Sequence, residues 1–275
     1  MASFPPYSEP PLPGRWQPIP PSTAATFTHV GQAKPLATVS STHFLPVAPP
    51  SLTSARYAAD LNEVKALGKS DSGSRTPEQT TIARVWASIA ASGTGTATHY
   101  SSIWQLIVRD IARERGLSLV ETARLFVLVN VSIHDALQTT LTSKFVYGLW
   151  RPWTAIRQAD TDLNPATEPD PAWATLIPTP PYPSYAGNMA TIGASAARVL
   201  ALALGTNDVP LTVTWKQSGG QADVVQHFAT LWAVAQQQAD SRIYGGIHYR
   251  FDNEAGQTAG RAVAEYVFAN FMRPK

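Results

Sequence analysis

The chain has 275 residues, 44% of them hydrophobic and only 15% charged, with a formal net charge of +2 and no cysteine. That is enough apolar sequence for a buried core, and too weak a charge to suggest nucleic acid as a partner. Without cysteine, disulfides, thiolate nucleophiles and thiolate metal sites are excluded. No apolar run reaches the roughly 20 residues that span a bilayer. The opening Met1-Ala-Ser-Phe-Pro-Pro-Tyr7 lacks the basic and apolar regions of a signal peptide. The expectation is a soluble chain without a membrane span; secreted and cytoplasmic locations, and a removed leader, all stay open.

Residues 1–50 hold 12 of the 23 prolines. Proline removes backbone donors and blocks helix interiors, so this stretch reads as an extended, irregular arm. Its apolar members Phe4, Trp16, Ile19, Phe27, Phe44 and Leu45 suit an arm lying on a surface, with a disordered leader as the other reading. From Ser51 the texture becomes helical. Ser54 caps a predicted helix to about Leu67, followed by a polar loop over 68–74. Thr76-Pro77-Glu78-Gln79 has the cap and first-turn proline of a second helix, ending near Ser92-Gly93. Ser101 or Ser102 opens a third helix, reaching Gly116. Ser118 opens the longest, apolar nearly all round and so central in a bundle.

Residues 159–187, rich in Pro, Asp, Thr and Asn, read as one long loop, a length that is often functional. Asn188 then caps an Ala-rich helix to Leu204, closed by Gly205. Residues 206–222 read as a short strand pair or an irregular excursion. Helices are predicted at about 223–240 and 254–272. With no internal repeat, the expected architecture is mainly α: a helical domain over 51–275 behind the 1–50 arm.

Three stretches carry chemistry. In Ser241-Arg-Ile-Tyr-Gly-Gly-Ile-His248-Tyr-Arg-Phe-Asp252, a helix starting near Ile247 would put His248 and Asp252 on one face. A carboxylate beside an imidazole fixes its tautomer and leaves the other nitrogen for chemistry. Arg242 brings a planar fork suited to oxyanions. His248 with Asp252 also has the spacing of half a metal site, but no second His/Asp pair completes one. In Lys144-Phe-Val-Tyr-Gly-Leu-Trp-Arg151-Pro152 the cations stand seven residues apart. On one helix they would drift by only ~20° and point the same way; two solvated surface cations would satisfy the same spacing. In Pro180-Pro-Tyr-Pro-Ser-Tyr-Ala-Gly-Asn188-Met189 a turn feeds a helix N-terminus, where free N–H groups favour an anion. A plain N-cap at Asn188 is the other reading.

Taken in order, these stretches resemble the vanadium-dependent haloperoxidase and type 2 phosphatidic acid phosphatase superfamily. Its pattern is Lys-x6-Arg-Pro, then Pro-Ser-Gly-His, then Ser-Arg-x5-His-x3-Asp. Lys144, Arg151 and Pro152 match the first motif; Ser241, Arg242, His248 and Asp252 match the third. The flanking text is similar to the soluble bacterial haloperoxidase-like branch, over roughly 51–272. The resemblance implies a helical bundle in which Lys144, Arg151 and Arg242 hold phosphate or vanadate. It implies that His248 attacks phosphorus or binds vanadium, and that Asp252 orients it. It implies vanadate as cofactor, or none for a phosphatase, and a small phosphoester or halide and peroxide as substrates.

The second motif departs. An ungapped match sets Ala186-Gly187-Asn188-Met189 on Pro-Ser-Gly-His, so Gly187 replaces the hydroxyl and Met189 the acid–base histidine. Methionine cannot shuttle a proton, and losing a general acid costs ~10²–10⁴ in rate. A thioether beside bound peroxide is also prone to sulfoxide formation. Gly187 and Asn188 still have groups for hydrogen bonding an oxyanion. His134, Tyr182 or Tyr185 could replace the proton donor, with a satisfied core histidine as the other reading of His134. His29, His43, His99 and His227 fall in no metal pattern. An oxyanion-binding homologue with weakened catalysis is the alternative function, and a helical structural protein a third. Apolar helix faces would allow a homodimer.

Overall fold

The computed structural model describes residues 7–87, 102–217 and 222–273. The structure is mainly helical, and local sequence sets most of the helix ends. Helix α1 spans Ala55–Gly68, with the Ser54 hydroxyl accepting from Tyr57 N–H. Helix α2 spans Pro77–Ala87. Thr76 and Gln79 cap each other there, each side chain accepting the other's backbone N–H at 3.1 and 2.9 Å. The end predicted near Ser92-Gly93 lies outside the described residues. Helix α3 spans Ile103–Glu114. Helix α4, Leu119–Tyr147, opens on a capping box of Ser118 and Glu121 and ends at Gly148, whose φ of 59° suits a residue without Cβ.

Helix α5 is short, Pro152–Arg157, with proline at its first position. A 3-10 turn at Ala159–Thr161 leads into a long irregular connection. Helix α6 spans Asn188–Leu204, closed by Gly205 at φ 73°. Its cap position is Gly187 rather than Asn188, a shift of one residue. Strands β1 (Leu211–Trp215) and β2 (Val224–Phe228) pair antiparallel, with Leu211 opposite Phe228 and Trp215 opposite Val224.

The last elements correct two expectations. The segment from 223, predicted helical, first forms β2, because Val224, Gln226 and Phe228 supply a half-buried alternating face. Helix α7 begins only at Leu231, where the Thr230 hydroxyl accepts from Ala233 N–H, and runs to Tyr244. Helix α8 spans Arg250–Asn270, four residues earlier than predicted. Its start is fixed across the fold: Asp60 on α1 accepts the Phe251 N–H at 2.7 Å. Asp252 itself accepts from Tyr249 N–H at 3.3 Å. His248 therefore precedes α8 instead of sitting on it.

Helix α6 lies at the centre, against α8, α4 and α7. It is rich in small residues, and α8 meets it with Gly256 and Gly260. A Cβ at Gly256 would stand 2.5 Å from the Gly187 carbonyl oxygen and 2.7 Å from Thr191 Oγ1, so only glycine admits this approach. The larger apolar cluster joins Trp86, Trp104, Leu128, Leu200, Trp215 and Val234, among others. A second cluster, including Tyr57, Trp150, Trp173, Tyr249 and Phe251, lies where α1, α5 and the start of α8 meet.

Residues 7–50 run along this body with one 3-10 turn, Val30–Gln32, among the described residues. Trp16 is buried and its N–H donates to Gly148 O at 2.8 Å. The Asp135 carboxylate accepts the N–H groups of Leu36, Ala37 and Thr38 at 2.8, 2.9 and 2.7 Å. Tyr185 donates its hydroxyl to Val47 O at 2.6 Å. No helix among the described residues is long and apolar enough to cross a membrane.

Candidate functional site

Lys144 lies in the last turn of α4, and Arg151 is the cap of α5 beyond a left-handed Gly148. The two cations are thus on separate elements, not one helix face as the spacing suggested. They still reach one loop. Lys144 Nζ donates to Ser184 O at 2.7 Å and Ala186 O at 2.5 Å. Arg151 Nε donates to Tyr182 O at 2.8 Å. Both cations also face the Tyr182 ring, with Lys144 Nζ 5.4 Å and Arg151 Cζ 5.0 Å from its centroid.

Arg151 Nη1 donates to Ile247 O at 2.8 Å and lies 3.1 Å from His248 Nε2, while its Nη2 is buried with no hydrogen-bond partner among the described residues. A guanidinium only donates, so Nε2 must accept and the ring proton is assigned to Nδ1. His248 Nδ1 then donates to Asp252 Oδ2 at 2.8 Å. The same oxygen accepts the Ser184 hydroxyl at 2.5 Å. The i,i+4 pair forms through the cap of α8 rather than through a helix face. Lys144, Arg151 and Asp252 are 0% exposed and His248 1%, so water screens this charge cluster poorly.

Burial, then the charges of Arg151, Lys144 and Arg242, holds His248 well below the ordinary histidine value. It is a neutral imidazole whose Nε2 lone pair is a base, a nucleophile or a ligand. Burial also pushes Asp252 up to about 6, against the Ser184 bond and the charges of Lys144 and Arg151. Burial and the neighbouring Arg151 lower Lys144, and Asp252 opposes them. Arg242, in the last turn of α7, is 8% exposed and donates from Nη1 to Trp86 O at 3.2 Å.

Gly187 N–H donates to Asp252 O at 2.8 Å, which ties the second stretch to the third. Asn188 opens α6, and its Nδ2 donates to the Tyr182 hydroxyl at 3.4 Å. Met189 is buried in the larger apolar cluster, its Sδ taking the Gln238 amide at 3.8 Å. Ser184 is the residue that sequence reasoning missed. Its link to Asp252 joins positions 68 apart, and a serine between proline and tyrosine gives no local signal. His134 is half exposed and pairs with Asp135 at 3.0 Å. His43 stacks on Phe44 and His227 meets Thr212 on the strand pair. His99 lies outside the described residues, among which no group of three His, Cys, Asp or Glu could hold a metal ion.

The family model described as the VCPO second helical-bundle domain matches residues 124–274, just over half of the chain. The vanadium chloroperoxidase of Curvularia inaequalis is 28% identical over 274 residues, covering 79% of this chain and 44% of that protein. The chain thus spans less than half the length of that relative. A bacterial vanadium-dependent iodoperoxidase superposes with a TM-score of 0.79 at 26% identity, covering 98% of this chain and 63% of that one. The holo-type bacterial vanadium-dependent chloroperoxidase superposes at 0.71 with 12% identity, over 97% of this chain and 63% of that one, which is a likeness of fold alone. With the matched model running from within α4 to beyond the end of α8, the chain belongs to the vanadium haloperoxidase superfamily.

Proposed function

We propose that the buried cluster is an oxyanion pocket of an enzyme, taking vanadate or phosphate on Lys144, Arg151, Arg242 and His248. One observation carries the reading. A neutral His248 has Nδ1 on Asp252 and Nε2 at 3.1 Å from Arg151, amid three cations that each depress its basicity. A tetrahedral anion fits this donor set: Arg151 Nη2 has no hydrogen-bond partner among the described residues, and the single Nε2 lone pair, held by Arg151 Nη1, passes to vanadium or phosphorus once that N–H turns to the anion. With the Gly187 N–H committed to Asp252 O, Asn188, the first residue of α6, stands at the position whose N–H would meet one of the anion's remaining oxygens.

Bound vanadate would supply peroxide activation for halide oxidation. The chain's own residues neutralise the oxyanion, keep bulk water out and hold the imidazole in one tautomer. With a phosphoester, the same Nε2 lone pair attacks phosphorus while Asp252 keeps Nδ1–H aligned and stabilises the positive ring that forms. Lys144, Arg151 and Arg242 stabilise the charge that develops on the equatorial oxygens.

The test is an orthovanadate titration followed by melting temperature, with His248→Ala as control. A ligand bound only by the native state stabilises it by about 2.7 kcal/mol at a hundredfold excess over its dissociation constant. A rise seen in the wild type and lost in the variant supports the pocket, and iodide oxidation and aryl phosphate hydrolysis then assign the chemistry. The absence of any rise removes the reading.

Met189 favours a second reading, an oxyanion-binding homologue with weakened catalysis. The acid position is filled by a thioether packed in the core. This reading keeps vanadate stabilisation and gives no turnover even with activated esters.

A further inference from the structure

We propose that Tyr182 supplies the proton that Met189 cannot, donating from its hydroxyl to the leaving oxygen of a phosphoester held on Lys144, Arg151 and Arg242. The proposal rests on the oxyanion-pocket reading above. Three side chains were open as substitute donors, and the structure separates them. His134 precedes Lys144 by ten residues on α4, about 15 Å along a helix, and is held by Asp135 and Gln138. The Tyr185 hydroxyl is committed to Val47 O, and its ring packs against Tyr147 and Phe251. Tyr182 remains.

Its position suits the role in three independent ways. Its ring faces both Lys144 and Arg151, so the phenol belongs to the same cation cluster as the anion would. Its hydroxyl accepts from Asn188 Nδ2 at 3.4 Å and donates to no acceptor among the described residues, so its proton is not already engaged. Asn188 immediately precedes Met189, which places the hydroxyl beside the position from which the acid is missing. The ring is fixed from outside by Phe27 of the arm, edge-on at 5.9 Å, and the backbone by the Arg151 bond to Tyr182 O.

The step balances. His248 Nε2 forms a bond to phosphorus as the bond from phosphorus to the leaving oxygen breaks. The Tyr182 proton passes to that oxygen and the product leaves as a neutral alcohol. Water then attacks phosphorus, displaces Nε2 and returns its proton to the Tyr182 phenolate.

Tyr182→Phe keeps the ring and removes only the hydroxyl. Wild type and variant are titrated with inorganic phosphate, following melting temperature and the near-ultraviolet tyrosine difference spectrum. Both should be stabilised alike, and only the wild type should show a Tyr182 signal. Stabilisation of the wild type without a signal that the variant lacks overturns the proposal and leaves the pocket standing; no stabilisation overturns both. Turnover is then compared on phenyl phosphate and 2,4-dinitrophenyl phosphate. Loss of a general acid predicts a fall of ~10²-fold or more on the poor leaving group and far less on the activated one. Equal losses on the two esters, or a wild type that binds phosphate yet hydrolyses neither, overturn the acid role.

Discussion

Ser184 and His248 share one acceptor, Asp252 Oδ2, at 2.5 Å from the serine hydroxyl and 2.8 Å from the imidazole nitrogen. A hydrogen bond to a charged group contributes roughly 1.5–3 kcal/mol. Ser184→Ala should therefore lower the unfolding free energy by that order, read as a lower urea midpoint with an unchanged slope. It should also weaken vanadate stabilisation, because the carboxylate that orients His248 loses a buried bond. An unaltered midpoint and unaltered vanadate response would show that the bond contributes nothing.

The arm has a pH-dependent anchor. Burial alone would raise Asp135, but the contact with His134 and the N–H groups of Thr38, Leu36 and Ala37 outweigh it and leave the carboxyl below 3.8. A carboxylate depressed in the folded state gives stability that is present above its unfolded value and lost as pH falls through the folded one. The arm should stay docked above about pH 4 and loosen below it. Amide exchange at Leu36, Ala37 and Thr38 is the measurement, with Asp135→Asn predicted to expose these amides at neutral pH. Protection that is the same in both proteins at neutral pH would refute the anchor.

The contact between α6 and α8 admits no side chain at Gly256. Gly256→Ala should destabilise the protein by about 1–3 kcal/mol through overpacking. The displaced carbonyl belongs to Gly187, so oxyanion affinity should fall as well. A variant with wild-type melting temperature and wild-type affinity would mean that the helices part at no cost.

Met189→His offers a route to the missing acid that is independent of Tyr182. In the Tyr182→Phe background it should recover hydrolysis of phenyl phosphate by ~10-fold or more, because general acids contribute ~10²–10⁴ when placed well. In the wild-type background the gain should be smaller. Steady-state kcat on the poor leaving group reads both, and identical gains in the two backgrounds would argue that Tyr182 and position 189 serve unrelated ends.

Local chemistry made much of the fold legible. Ser54, Thr76 and Ser118 cap helices where the sequence says they should, and α6 closes at Gly205 as predicted. Lys144, Arg151, Arg242, His248 and Asp252 could be named from spacing and resemblance. The reasons for their convergence could not. Lys144 and Arg151 meet at one loop because Gly148 turns the chain, not because seven residues keep them in phase. Helix α8 starts at Arg250 because a carboxylate on α1 reaches Phe251 N–H, a partner 191 residues away. The alternation over Val224–Phe228 is too short to set it apart from the helix predicted from 223, and pairing with β1 makes it a strand.

The glycine seam between α6 and α8 separates scaffold tolerance from chemical identity. The spacing between the Gly187 turn and the His248–Asp252 turn is set where main chain meets main chain, at the Gly256 approach and the Gly187-to-Asp252 bond. The Met189 side chain packs in the larger apolar cluster against Gln238 and makes no part of this main-chain contact, so it can change without moving His248. A sequence on this frame is free to change the residue at 189 while retaining the geometry beneath it, and the chemistry of such chains must be read from the side chains that occupy the frame.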